Sequence, residues 1–393
     1  MRTIRNLPLQ GKKVLVRVDY NVPLKDGDIT DDTRIRESLP TLEHCLKAGA
    51  SLILCAHLGR PKGAVNPKYS LRPAAARLSE LLKKPVAFAN DCVGPEAKSK
   101  AAALKPGEIL LLENLRFHPG EEKNDESFAK ELASLAQIFI QDAFGAVHRA
   151  HASTSAVTQF LPAAAGFLLE KEISTLSRLL KGPARPFVAV LGGAKVSDKI
   201  KVIENLSKTA DSVVIGGAMA YTFLKSQGIS IGKSLVEDDK TDLAKEILSS
   251  KKNLMLPVDH RVAQKIEKGA QVQETKGPSI EPDWIGVDVG PKTSEKISAV
   301  LSGAKTILWN GPLGIFEIPG FAKGTTDCAA SVADATAKGA FSVVGGGDSV
   351  AAVTQGGFAK SISHISTGGG ASLEFLEGKV LPGVAALEGA VHV

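Results

Sequence analysis

Two α/β domains, each a doubly wound parallel sheet and the pair facing a central cleft, are what this sequence predicts. Three observations lead there. Ten short runs of Val, Ile and Leu are apolar throughout rather than alternating, as in strands covered on both faces. Segments with apolar residues three and four apart separate many of them. The chain has 393 residues, more than one core comfortably holds.

The expected strands of the first half are Val14–Val18, Leu52–Cys55, Val86–Ala89, Ile109–Leu112 and Ile138–Ile140. Those of the second half are Val188–Leu191, Val213–Ile215, Leu254–Pro257, Thr306–Trp309 and Phe341–Val344. Helical spacing marks Ser38–Ala48, Ala74–Lys83, Asp125–Gln137, Lys199–Lys208, Asp239–Ser249 and Gly324–Ala337. Strand, helix, strand, run through twice, is the doubly wound order. Pro162 closes the first run. Phe167–Leu180 then reads as one helix with Glu170, Lys171, Glu172, Ser174, Ser177 and Arg178 on its wet side, stopped at Lys181-Gly182-Pro183. A single helix between two domains is a natural hinge. The expected division is 1–166 and 167–377, with the tail 378–393 folding back on the first domain.

Composition narrows the function classes. The chain is 44% hydrophobic and 23% charged, with a net charge of +6 and an isoelectric point near 9.0. That is a mild positive balance, suited to a site for anionic substrates. No basic arm or aromatic RNA-binding motif is present. No apolar stretch reaches the roughly 20 residues that span a bilayer, and residues 1–20 lack the apolar core of a signal peptide. The four cysteines, Cys45, Cys55, Cys92 and Cys328, form no C-x-x-C pair. Their sparsity points to a reducing cytoplasm and away from zinc.

In a parallel sheet, ligands bind beyond the carboxyl ends of the strands. In the first half those positions carry Arg17-Val-Asp19-Tyr20-Asn21, His57-Leu58-Gly59-Arg60, Asn114-Leu-Arg116 and Asp142–His151. Asp19 suits a hydroxyl or orients an arginine. Arg34, Arg60, Arg116 and Arg149, with His57, describe a site for a small, multiply anionic molecule. His148 and His151 are three apart, but nothing near them in sequence completes a metal set.

The second half offers backbone N–H groups and lysine instead. Gly192-Gly193-Ala-Lys195 leads into an expected helix, with Lys195 and Lys199 four apart on one face. Gly216-Gly217, Asn310-Gly311-Pro312, Gly345-Gly346-Gly347-Asp348-Ser349 and Gly368-Gly369-Gly370 follow later runs. Glu317 suits ribose hydroxyls. Asp348 is the natural ligand for a Mg²⁺ shared with phosphates. Gly228–Ser234 is one residue short of a P-loop, and no G-x-G-x-x-G occurs, which weakens a dinucleotide dehydrogenase.

Taken together, Arg17–Pro23, His57–Pro61, Leu111–Phe117, Asp142–Ser153, Leu191–Ile200, Trp309–Glu317, Gly345–Ala351 and Ser366–Gly383 closely resemble the phosphoglycerate kinase family, in family order over nearly the whole chain. Tyr20 stands where the family often has Phe, and Ser349 where Thr is common. The resemblance implies two Rossmann-like domains and reversible, Mg²⁺-dependent phosphoryl transfer between 1,3-bisphosphoglycerate and ADP; nothing in the sequence demands an oligomer, so a monomer is expected. It implies that Asp19, Tyr20, Asn21, Arg34, His57, Leu58, Gly59, Arg60, Arg116 and Arg149 hold 3-phosphoglycerate. It implies that Gly193, Lys195, Lys199, Gly216, Gly217, Gly286, Asn310, Pro312, Glu317, Gly346, Gly347, Asp348 and Ser349 hold the nucleotide, with Asp348 on the metal. Arg34, Lys195, Gly347 and Gly370 are the expected catalytic groups. Weighed against it are transfer from another acyl phosphate and a non-catalytic nucleotide-binding protein on the same fold.

Overall fold

A computed structural model describes residues 1–390. The chain divides into two compact units, Met1–Ser174 with Val380–Val393, and Thr175–Lys379. Residues 391–393 of the expected tail lie outside the described residues.

The first unit runs β1 (Lys13–Arg17), a small hairpin of β2 (Leu24–Lys25) and β3 (Asp28–Ile29), α1 (Thr33–Lys47) and β4 (Ser51–Cys55). It continues through α2 (Arg72–Leu82), β5 (Val86–Ala89), α3 (Gly94–Ala103) and β6 (Ile109–Leu112). Then come α4 (Pro119–Glu122), α5 (Glu126–Ala133), β7 (Ile138–Gln141) and β8 (Ala163–Ala165). The sheet order is β5-β6-β4-β1-β7-β8, and every pairing is parallel. Val14, Val16, Leu52, Leu54, Leu111 and Ile140 build one face of its core against α1 and α2, whose Ile35, Leu42 and Leu78 are fully buried.

α6 (Phe167–Leu180) follows directly. Its start is fixed by side chains that satisfy its free N–H groups. Thr41 Oγ1 accepts from Phe167 N at 2.9 Å, and Asp142 Oδ1 accepts from Leu168 N at 2.9 Å and Leu169 N at 3.3 Å. Glu172, expected on the wet side of this helix, is buried.

The second unit contains β9 (Phe187–Leu191), α7 (Ile200–Leu206), β10 (Ser212–Ile215), α8 (Met219–Ser226), α9 (Thr241–Ser250) and β11 (Leu254–Met255). A separate antiparallel sheet of β12 (His260–Ala263), β13 (Gln273–Glu274) and β14 (Ile285–Val289) is inserted next. Then come α10 (Pro291–Ser302), β15 (Thr306–Asn310), α11 (Lys323–Ala337), β16 (Phe341–Gly345), α12 (Gly347–Gln355), β17 (His364–Ile365) and α13 (Gly370–Leu376). The main sheet is again six strands, ordered β11-β10-β9-β15-β16-β17 and wholly parallel. Trp309 fills its core with Val188, Val344 and Val332.

Finally α14 (Pro382–Glu388) lies against the first unit, where Gly383 N donates to Val147 O at 2.9 Å. A Cβ on Gly383 would come within 3.0 Å of Val147, so the backbones meet without an intervening side chain. Among the described residues, no helix is long and apolar enough to cross a membrane.

Candidate functional site

In the first unit, the loops after β6, β4, β1 and β7 leave four neighbouring strands on the same side of the sheet. They carry most of the residues singled out from sequence. Asp19, buried after β1, accepts from Arg34 Nη1 at 2.7 Å. Arg34 itself sits in the first turn of α1, which starts five residues earlier than its apolar spacing suggests. Asn21 Oδ1 accepts from Gly59 N at 2.9 Å, and Arg116 Nη1 donates to Gly59 O at 2.9 Å. Gly59 has φ +62°, and a Cβ there would overlap the Tyr69 ring, so this loop needs glycine.

The sequence assigns Arg17 no role beyond its place in the Arg17–Pro23 motif. Its side chain is fully buried and links the loops. Nε donates to Ser153 Oγ at 2.8 Å, and Ser153 Oγ donates to Glu121 Oε1 at 2.6 Å. Nη2 donates to His57 Nδ1 at 3.0 Å. An arginine can only donate, so Nδ1 is the acceptor, and the neutral ring carries its proton on Nε2. Burial, then Arg17, Arg116, Arg34 and His151, hold His57 well below its usual range. His151 is pushed down to about 3 by burial and by Arg116, Arg17, Arg149 and His148. The same residues therefore crowd one another: four guanidiniums around two neutral imidazoles. Arg60 and Arg149 are exposed, with Arg149 Nε donating to His148 Nε2 at 3.1 Å.

Two expected contacts change character. Tyr20 is wholly buried, its hydroxyl 3.1 Å from Ser38 Oγ. Leu58 is buried in the same core. Neither side chain is free to touch a ligand; their part is to seat the loops that carry Asp19 and Arg60.

Both depressed imidazoles make the fold acid-sensitive. Between about 3 and 6.5, the unfolded chain binds a proton at His151 that the folded chain does not. Stability therefore falls as pH drops from 6.5 and levels off below about 3 for this group. The urea midpoint should fall from pH 7 to pH 5, and less so in His151→Gln. An identical fall in both proteins would remove His151 from the account.

In the second unit, the turns after β10, β9, β15, β16 and β17 again leave neighbouring strands on one side. Their glycines pack backbone against backbone. Gly192 N donates to Asn310 O at 2.9 Å, Met219 N to Gly193 O at 3.1 Å and Gly217 N to Leu313 O at 3.0 Å. A Cβ on Gly192 would overlap the carbonyl oxygen of Pro312. Gly192→Ala should thus cost at least about 1–3 kcal/mol, read as a lower thermal midpoint; an unchanged midpoint would contradict the close approach. Gly216 and Gly286 are tight for the same reason, against Leu313 and the Tyr221 hydroxyl.

Lys195 and Lys199 do not share a helical face, because α7 begins only at Ile200. Lys195 lies in the preceding turn and is exposed, while Lys199, at the helix N-cap, is buried. Lys199 Nζ donates to Asn310 Oδ1. Burial lowers its ammonium to about 8, opposed by Asp198, Asp348 and Glu377. Asn310 spends its other amide end on Gly345 O at 2.9 Å, and Ser349 Oγ accepts from Gly311 N at 2.5 Å. Both therefore brace the turns with their side chains. Gly346, at φ +91°, caps α12, whose first turn exposes Gly347 and Asp348. Glu317 is exposed, Pro312 half-buried, and Gly370 opens α13.

A model of the family described as "Phosphoglycerate kinase" matches residues 4–379. The chain belongs to the phosphoglycerate kinase family. It is 57% identical over 389 residues to the phosphoglycerate kinase of Moorella thermoacetica, covering 98% of each chain. To that of Chlorobium luteolum it is 55% identical over 394 residues, covering 99% of each. The phosphoglycerate kinase structure from Coxiella burnetii superposes with a TM-score of 0.90 at 42% identity, covering 98% of each chain. That from Pyrococcus horikoshii gives 0.86 at 35% identity, covering 99% of this chain and 98% of that one. The two parallel sheets described above are thus the two α/β domains of phosphoglycerate kinases.

Proposed function

We propose that this chain moves the acyl phosphate of 1,3-bisphosphoglycerate to ADP, and the reverse, as a glycolytic phosphoglycerate kinase. The first unit would hold the glycerate and the second the nucleotide. What carries the assignment of the glycerate is the cluster of Arg17, Arg34, Arg116 and Arg149 around His57 and His151. So dense a cluster of guanidiniums, beside neutral imidazole N–H donors, suits a small molecule bearing both phosphate and carboxylate. Asp19 orients Arg34, and Asn21 and Gly59 shape the loop beside it. Arg60 and Arg149, both exposed, reach outward for the same ligand. Tyr20 and Leu58 support it from below.

In the ATP-consuming direction the nucleophile is a carboxylate, ionised at neutral pH, so no general base is needed. Neutral His57 and His151 fit that: they donate hydrogen bonds and leave protons where they are. The barrier lies in charge on the transferring group, met by positioned cations and N–H donors. Arg34 and Lys195 would cover the equatorial oxygens, with backbone N–H groups of Gly347 and Gly370. Gly193, Gly216, Gly217, Gly286, Pro312 and Gly346 would let the nucleotide approach the backbone, Lys199 would pair with its phosphates, and Glu317 would accept from the ribose. Asn310 and Ser349 hold those turns in shape.

Asp348 fits Mg²⁺: it is an exposed hard-oxygen donor at the glycine turn, near enough to Lys199 to act on its charge. Such an ion, when bound, offsets phosphate charge. Substrates held on separate units must be brought together for in-line transfer, which makes α6 the proposed hinge. Four free, buried thiols fit a reducing cytoplasm, and we expect a monomer.

The test is a coupled assay: purified protein with 3-phosphoglycerate and Mg-ATP, with 1,3-bisphosphoglycerate followed through NADH oxidation. Turnover should require both substrates and disappear in Lys195→Ala. Both ligands binding without turnover would instead support a nucleotide-responsive binding protein.

A further inference from the structure

One cluster of ligating side chains lies outside the groups assigned above. Asp91 and Cys92 follow β5, and His118 follows the turn Leu115–Phe117 after β6. These two strands are neighbours, so folding joins residues 26 positions apart. One ligand atom from each of Asp91, Cys92 and His118 lies within 4.8 Å of the others. We propose that these three residues form a site for one divalent transition-metal ion of the zinc or cobalt class, with a fourth position open to water.

The donor set is the first reason. Thiolate, imidazole and carboxylate together select borderline-soft ions such as zinc over magnesium or calcium. Spacing is the second. Metal–ligand bonds of about 2.0–2.3 Å in a tetrahedral site place the donors about 3.4–3.6 Å apart. The Asp91 Oδ1 to His118 Nε2 distance is 2.6 Å, so that pair need open by only about 1 Å to admit the ion. The third reason is that the donors are held. Cys92 N donates to Asp91 Oδ1 at 2.6 Å, and the His118 ring stacks on Phe128 with centroids 5.3 Å apart. Access is the fourth: Cys92 is buried, but the Asp91 side chain is 47% exposed, which leaves an entry from solvent.

The absence of C-x-x-C pairs led the sequence away from zinc. That spacing rule sees ligands on one loop, and here they come from two strands. Binding forms one metal–sulfur, one metal–nitrogen and one metal–oxygen bond. The Cys92 thiol proton passes to bulk water, and the proton that His118 Nε2 donates to Asp91 is exchanged through solvent to Nδ1, so the neutral ring binds the ion through Nε2. The hydrogen bond between Asp91 and His118 is exchanged for bonds to the cation.

The test uses the full chain, treated with chelator, and Co²⁺ alone without nucleotide. One equivalent of Co²⁺ should bind and give a near-ultraviolet thiolate-to-cobalt charge-transfer band. Cys92→Ser should abolish the band, and Cys328→Ser, in the other unit, should retain it. Even changes outside the first ligand shell cost about 10–100-fold in affinity, so His118→Ala should weaken binding by at least about tenfold. Asp91→Asn, at a half-exposed position, gives a further variant if Cys92→Ser fails to fold, and it too should weaken binding. A wild-type protein with no such band, or a band that survives Cys92→Ser, would overturn the site.

Discussion

Arg34→Ala is expected to lower kcat by about 10²–10³ while changing the dissociation constant of Mg-ATP by no more than about twofold. Arg34 is one of the few cations here that is neither consumed by the fold nor loose. Its bond to Asp19 at 2.7 Å fixes its direction, and its side chain stays 32% exposed. A guanidinium so oriented loses little freedom when charge develops on the transferring group, so its effect concentrates in the transition state. Separate measurement of kcat, KM for 3-phosphoglycerate and nucleotide affinity decides the matter. Equal losses in turnover and nucleotide binding would contradict the role. Asp19→Asn should reproduce part of the kcat loss, because it loosens the same arginine without removing it.

Arg17→Met is expected to destabilise the protein by about 3–5 kcal/mol, the largest stability effect of any change proposed. Arg17 and Glu121 are both fully buried, with their nearest charged atoms 4.0 Å apart and Ser153 bridging them. Without Arg17, Glu121 stays inside the protein with only the weaker influence of Arg116 and its hydrogen bonds from Ser153 to offset its burial, which already pushes its carboxyl upward. Urea unfolding measures the loss. The double variant Arg17→Met/Glu121→Leu should recover much of it, since a buried pair replaced by apolar groups is often close to neutral. Recovery will be incomplete, because His57 has also lost the donor that fixes its tautomer. A single-variant loss under about 1 kcal/mol would mean that water reaches the pair.

Which elements were legible in the sequence follows from which forces make them. The central strands, such as β4 with all five residues buried, show themselves as unbroken apolar runs. β8 is three alanines, and β17 is only His364–Ile365, so neither carries a strand signal of its own; neighbouring strands make them. α8 buries Met219–Leu224 as one unbroken run, with no wet positions among them to mark a helix. α10 turns only Thr293, Ile297 and Leu301 inward, too thin a stripe to stand out. The antiparallel insert was hidden by His260 and Arg261, polar residues buried within a strand.

For the candidate site, proximity to strand ends placed these loops on one side of each sheet, as parallel strand geometry requires. It could not distinguish a residue that faces a ligand from one that braces the loop. Tyr20, Asn310 and Ser349 look like ligand contacts in sequence and spend their side chains inside the fold. Arg17 looks like part of a strand and ties four loops together. Lys195 and Lys199 look equivalent until the late start of α7 exposes one and buries the other.

The return of the chain to the first unit also sets an order of assembly during synthesis. Thr175–Lys379 is one continuous stretch, whereas the first unit also draws on Val380 onward, including α14. On a ribosome, which extends the chain from its amino end, the stretch that completes the first unit is therefore the last to be made. The backbone contact of Gly383 with Val147 is among the last to form. A chain that ended before that point would lack the segment that closes the first unit.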